Sequence, residues 1–268
     1  QGGELLKVNS VISSSLLSLL VFYPLFDNKD ESVHIEIDGI KYTRCLFEIK
    51  NRVIRFPSCV DVILVSDDEE KLLFLESKFT EYATSRAASK TYDKGKSYIP
   101  LYRELIKNQL LAGLVLGERT DEFVLRNENN ERQYIDGIKQ CISHLVGIVR
   151  GPQYSAQGYY PRKYHTDYER LYKNASELIF GTILYDPTHL ETAEAGHYEA
   201  YKEYYRSIIG ENGEEILAVI REWYKENGTH DKRKTISILP YPKTYQNIFG
   251  GNNRDLLQGK VAEFYRFK

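Results

Sequence analysis

Residues 56–82 read FPSCVDVILVSDDEEKLLFLESKFTEY. Two apolar runs rich in β-branched residues, 59–66 and 71–79, flank the acidic tetrad Asp67-Asp68-Glu69-Glu70. That pattern predicts two strands joined by a short polar turn. With the tetrad as the turn, Ser66 faces Lys71, and each step outward moves one residue along both strands. Asp61 then lies across from Glu76, and Lys78 shares Glu76's face, opposite Cys59. Directly opposed residues on neighbouring strands have Cβ atoms roughly 5 Å apart. Two carboxylates so placed repel each other unless a cation lies between them. A hard divalent ion held by carboxylate oxygens, with a lysine beside it, answers that requirement.

The bland alternative is an amphipathic edge strand carrying a surface Glu–Lys pair, and a lone E-x-K has little specificity. Two details weigh against it. LLFLESKF is apolar on both faces before its charges arrive, as in a central strand covered on both sides. Asp61 is likewise embedded in CVDVILV, where an uncompensated charge is costly.

Pro57, Asp61 and Glu76-Ser77-Lys78 together resemble the motif of the PD-(D/E)XK nuclease superfamily, the restriction-endonuclease-like fold. FLESKFTEY is also similar to uncharacterised bacterial restriction-endonuclease-like proteins. The proline stands four residues before the aspartate rather than beside it, a departure from the written pattern. The motif covers about a tenth of the chain. The resemblance implies an α/β protein with an αβββαβ core, its mixed central sheet flanked by helices. It implies Mg²⁺- or Mn²⁺-dependent hydrolysis of DNA phosphodiester bonds. Asp61 and Glu76 would hold the metal, the Ser77 backbone carbonyl would be a further ligand, and Lys78 would assist the attacking water. Glu48 is a candidate third acidic ligand, for which a surface carboxylate is the competing reading. The alternative function is a catalytically inactive member of the fold that binds nucleic acid or a partner protein.

The chain has 268 residues, 42% of them hydrophobic and 28% charged, which suits one globular domain with a substantial core. A net charge of −2 supplies no global basic field, so any nucleic-acid contact must use a local patch. Cys45, Cys59 and Cys141 are odd in number, lie in apolar runs and show no zinc spacing. They read as free thiols of a reducing, cytoplasmic compartment. There is no phosphate-binding glycine motif and no serine-hydrolase elbow.

In chain order, residues 4–26 are the most apolar stretch. Asn9, the serines and the lack of a small-x-small site favour a buried helix ending before Pro24 over a secretory signal. Residues 33–38 and 40–49 read as a hairpin about Asp38-Gly39. Residues 80–97 read as loop, 98–113 as helix and 119–132 as an exposed charged connector. Residues 134–149 read as an apolar helix, and Gln140 with His144 resembles the Q-x-x-x-Y motif of some nuclease families, with His for Tyr. Gln140 is therefore an auxiliary catalytic candidate, against a plain helix with one polar edge.

Residues 151–173 carry six tyrosines among Arg162, Lys163, His165, Arg170 and Lys173. This predicts a DNA-facing segment, with Arg162, Lys163, Tyr164, His165 and Arg170 as contacts; a tyrosine-rich surface loop leading into a helix is the alternative. Residues 177–185 read as a buried strand, 188–228 as mostly helix, and 232–234 as a small solvated basic turn. Residues 235–239 read as a strand that 241–249 extend irregularly, and 255–264 as a closing helix. The whole reads as one nuclease-like domain, with a core over about 4–185 and helical and strand additions over about 186–268. DNA is the expected partner, homodimerisation stays open, and no membrane association is expected.

Overall fold

The computed structural model describes residues 14–26, 28, 30, 32–51, 58–78, 141, 144–152, 162–185, 205–211, 213–225 and 234–249. The expected loop, helix and connector over 80–132, the closing helix over 255–264, Pro57 and Gln140 lie outside them. So do the side chains of Arg162, Lys163, Tyr164 and His165.

The described residues build a mixed α/β structure around one sheet. Its strands are β1 (Ile35–Ile37), β2 (Ile40–Asn51), β3 (Ser58–Ser66), β4 (Lys71–Lys78), β5 (Glu177–Leu184), β6 (Thr235–Ile238) and β7 (Lys243–Thr244). β1 to β6 lie in sequence order, and β7 also pairs with β5. β1 to β4 form an antiparallel meander. β5 joins β4 in parallel, and β6 and β7 continue parallel to β5. Antiparallel neighbours need only tight turns, whereas the parallel β4–β5 pair requires a crossover. That crossover contains helical residues 144–150 (here α2) and helix α3 (Arg162–Asn174).

Local chemistry accounts for the meander. Asp38 and Gly39 have φ values of +53° and +75°, so both central positions of the β1–β2 turn are left-handed. Such turns match the right-handed twist of paired strands and select Asp-Gly. The tetrad forms the β3–β4 turn, with Glu69 at φ +59°. There Glu69 N–H donates to Ser66 O and Lys71 N–H to Ser66 Oγ. The expected register holds, from Val65 opposite Leu72 to Val62 opposite Leu75.

β4 lies between β3 and β5, and every residue from Leu72 to Lys78 is buried. Its alternate side chains serve two cores. Leu72 and Phe74 join Ile63, Val65, Leu178 and Phe180 under α2, α3 and α4 (Gly213–Lys225). Leu73 and Leu75 join Val62, Leu64, Ile179 and Ile183 under α1 (Ser14–Phe22) and α5 (Tyr245–Phe249). Helices on both faces explain why these strands are nearly continuous apolar runs. α1 ends as expected, with Pro24 in a 3₁₀ turn over Tyr23–Leu25.

Two C-terminal details differ from the sequence reading. Residues 241–249 extend the sheet only at β7 and then turn helical. Thr244 Oγ1 accepts Asn247 N–H at 3.0 Å, the bond of an N-cap, and Tyr245, Ile248 and Phe249 are buried together. Lys234 is not a solvated turn residue. Its Nζ donates to Lys173 O at 3.0 Å and Ala175 O at 2.6 Å, capping the carboxyl end of α3.

The burial pattern predicts the cost of two truncations. Phe74→Ala, in the fully buried heart of β4, should lower unfolding free energy in urea by about 3–5 kcal/mol. Tyr241→Ala, at a side chain 59% exposed, should change it by no more than about 0.5 kcal/mol.

Candidate active site

The charges of the ESK triplet lie at the carboxyl end of β4, beside the start of antiparallel β3. Glu76 and Lys78 share the face of Leu72 and Phe74, and Ser77 faces the opposite way. Glu76 is 3% exposed and Lys78 8% exposed. Lys78 Nζ donates to Glu76 Oε1 at 2.7 Å. His144, on α2, brings Nε2 to 2.9 Å from Oε2, off the axis of a linear hydrogen bond. The other imidazole nitrogen, Nδ1, makes a short hydrogen bond with Ser58 Oγ at the start of β3. Burial by itself would raise the Glu76 carboxyl. The opposing effects of Lys78, which is hydrogen-bonded to it, and of nearby His144 together take it down to about 2.

Ser77 is tied to the other face. Its backbone N–H donates to Asp61 Oδ2 at 2.7 Å, and its hydroxyl lies 2.7 Å from Tyr245 Oη. Tyr245 Oη in turn is 2.9 Å from Ser18 Oγ on α1. The second Asp61 oxygen accepts Ser15 Oγ, also on α1, at 3.4 Å. The sequence reading puts Asp61 and Glu76 on one face. In the structure the paired ladder runs only to Val62–Leu75, and the Asp61 side chain, not its backbone, meets Ser77.

The reason lies in a reversal shared by two strands. Leu46 and Ile49 of β2 enter the same core, as do Val60 and Ile63 of β3. Strict alternation would separate the members of each couple. Register is unchanged on either side, with Phe47 opposite Val62 and Ile49 opposite Val60. Both strands therefore flip their faces at the Glu48–Asp61 step. Glu48 carries the distortion, with φ at +51°, a left-handed conformation uncommon for a residue other than glycine. Irregularities of this kind re-aim a side chain. Glu48 Oε2 accepts the Cys59 thiol at 3.2 Å. Burial, and after it the negative charges of Glu76 and Glu48, push the Asp61 carboxyl well up from the usual range; Lys78 and the Ser77 amide pull the other way.

The donor chemistry suits a hard divalent ion. Glu76 and Glu48 both lie within electrostatic reach of Asp61, and Lys78 acts on it in the opposite sense. Mg²⁺ is usually held by one or two carboxylates and keeps several waters. Among the described residues no three His, Cys, Asp or Glu side chains converge as a ligand cage. Asp61 and Glu76 are the carboxylates that could contribute to such a site, and both Asp61 oxygens are already engaged by Ser77 and Ser15.

Sequence reasoning did not single out Ser58. Its only signal is its place at the head of SCVDV, and its partner lies 86 positions away. Thr182 was also missed; it stands beside Glu76 in the β4–β5 register. Near it, burial and then the Glu76 charge push the Cys141 thiol up to about 12.

On the proposed DNA-facing segment, Arg170 is forked onto Glu69 Oε1 at 3.0 Å, with Asp167 Oδ1 also at 3.0 Å. Arg44 bonds the same two carboxylates from β2. Tyr168 and Tyr172 point inward, donating to Asn51 Oδ1 and Ile148 O.

Replacing Glu76 by glutamine removes the carboxylate that Lys78 Nζ bonds at 2.7 Å in a buried setting, which should cost about 3–5 kcal/mol at neutral pH. A carboxyl lower in the folded state than its unfolded value of 4.5 contributes stability above that value and loses it on acidification. The wild-type advantage over Glu76→Gln should therefore shrink as pH falls from 4.5 towards about 2. Urea titrations of both proteins across that range check the sign.

Among the described residues, no helix is long and apolar enough to cross a membrane. Neither family models, curated proteins nor solved structures compared with this chain match it.

Proposed function

We propose that this chain is a metal-dependent nuclease hydrolysing DNA phosphodiester bonds, built on a restriction-endonuclease-like αβββαβ core. One observation carries the reading. Half-buried Asp61 and the buried Glu76-Ser77-Lys78 meet at one end of two adjacent central strands and are electrostatically coupled. The element order supports it: α1, the antiparallel run β2–β3–β4, helices, then β5 parallel to β4.

Asp61 and Glu76 would hold Mg²⁺ or Mn²⁺, with the Ser77 carbonyl as a further ligand and Glu48 as a third carboxylate. When bound, such an ion lowers the pKa of its water and offsets charge on the scissile phosphate. Lys78 sits on the strand that carries the Glu76 ligand, where its ammonium orients the attacking water and balances developing negative charge. Gln140, four positions before His144 in the sequence, is the auxiliary residue. With Arg170 engaged by Glu69 and Asp167, phosphate contacts fall to Arg162, Lys163, Tyr164 and His165. Free thiols at Cys45, Cys59 and Cys141 suit a reducing cytoplasm.

A second reading has its own observation. Glu76 is already met by Lys78 and His144, as in a fold that has given up cutting and uses the triplet as a structural ion group. That protein would bind DNA or a protein partner indifferently to Mg²⁺.

Cleavage of plasmid and linear DNA, with and without Mg²⁺ or Mn²⁺, separates the two. The nuclease should require the ion, and Lys78→Ala and Asp61→Ala should each lose about 100-fold or more in rate. Full cleavage by either variant would sink the assigned site, and Mg²⁺-indifferent binding without cleavage would favour the second reading.

A further inference from the structure

The two oxygens of Glu76 face groups of different mobility. Lys78 reaches Oε1 from two residues along the same strand, on a long flexible stem. His144 reaches Oε2 from a helix that is fixed in several ways. Ser58 Oγ engages its far nitrogen. Gly147, one turn onward, lets α2 approach the ends of β2 and β3. A Cβ there would fall 2.7 Å from Asn51 Cβ and 3.3 Å from Ser58 Cβ. Behind α2, Tyr172 of α3 donates to Ile148 O at 2.7 Å. The imidazole is 2% exposed, so it cannot swing away without moving the helix.

We propose that His144 is a positioning residue for Glu76, with Ser58 as its support. It keeps Oε2 in place while Oε1 exchanges the Lys78 ammonium for a divalent ion. The carboxylate thus changes partners without leaving its position on β4. This rests on the metal-site reading of Asp61 and Glu76. A histidine that only filled space would leave ion affinity unchanged when replaced by a side chain of similar bulk.

The test is calorimetric titration of the full chain with Mn²⁺, with thermal melts to confirm folding. His144→Leu should bind Mn²⁺ about 10–100-fold more weakly than wild type, the usual effect of losing a group that orients a ligand. His144→Gln, whose amide can donate to the same oxygen, should recover most of that affinity. Ser58→Ala should fall between them. Wild-type binding that His144→Leu matches overturns the positioning role and leaves the metal site standing. Wild type that takes up no Mn²⁺ overturns the metal site and the positioning role together. Should His144→Leu fail to fold, Ser58→Ala decides: weaker binding supports the role, and wild-type affinity overturns it.

Discussion

A carboxylate buried in the central strand of a two-faced sheet governs the rest of this structure. Taking one ion out of water costs several kcal/mol even after relaxation, and only close, well-placed counter-charge offsets it. Glu76 meets that demand with the Lys78 ammonium on its own strand, and the His144 imidazole approaches its other oxygen from the crossover helix. The second partner has structural consequences. α2 must come down onto the ends of β2 and β3, so a glycine is required at 147, where any side chain would meet Asn51. Asn51 is itself engaged by Tyr168, which ties α3 into the same layer. The packing of one face of the sheet is thus organised about a single charge.

The other face answers a different constraint. Asp61 belongs to an apolar strand and is turned towards α1 by the shared reversal at Glu48 and Asp61. Its oxygens accept an amide N–H and a hydroxyl there. A left-handed non-glycine residue costs of order 1–3 kcal/mol and persists only where its surroundings over-determine it. Here the surroundings are the unchanged register on both sides of the step. The same distortion collects three carboxylates in one region, which is why burial and like charge act together on Asp61.

Away from the site, charge serves architecture. Arg44 and Arg170 share Glu69 and Asp167, joining β2, the β3–β4 turn and α3. These groups are partly exposed, so each pair contributes modestly and the network orients more than it stabilises. Lys234 does comparable work in a buried setting, collecting the last carbonyls of α3 while lying over the Tyr172 ring.

The sequence by itself determined the central hairpin, its turn and its register, because those depend on local chemistry. Asp-Gly and the acidic tetrad suit left-handed turn positions, and a period of two assigns the strands. It also determined that β4 is covered on both faces, since LLFLESKF leaves no polar stripe for solvent. Asp61, Glu76 and Lys78 were legible as candidates for the same reason: charges stand out in apolar runs. Only the tertiary structure decided which way Asp61 faces, because a reversal shared by two strands conserves register and leaves no mark on either sequence. Only it decided that His144 and Ser58 belong to the site, since 86 positions separate them. Residues 241–249 likewise turned helical through Thr244 and three buried apolar contacts, and Lys234 became a cap. Each of these outcomes depends on what a distant segment brings within a few ångströms, and no local pattern encodes that.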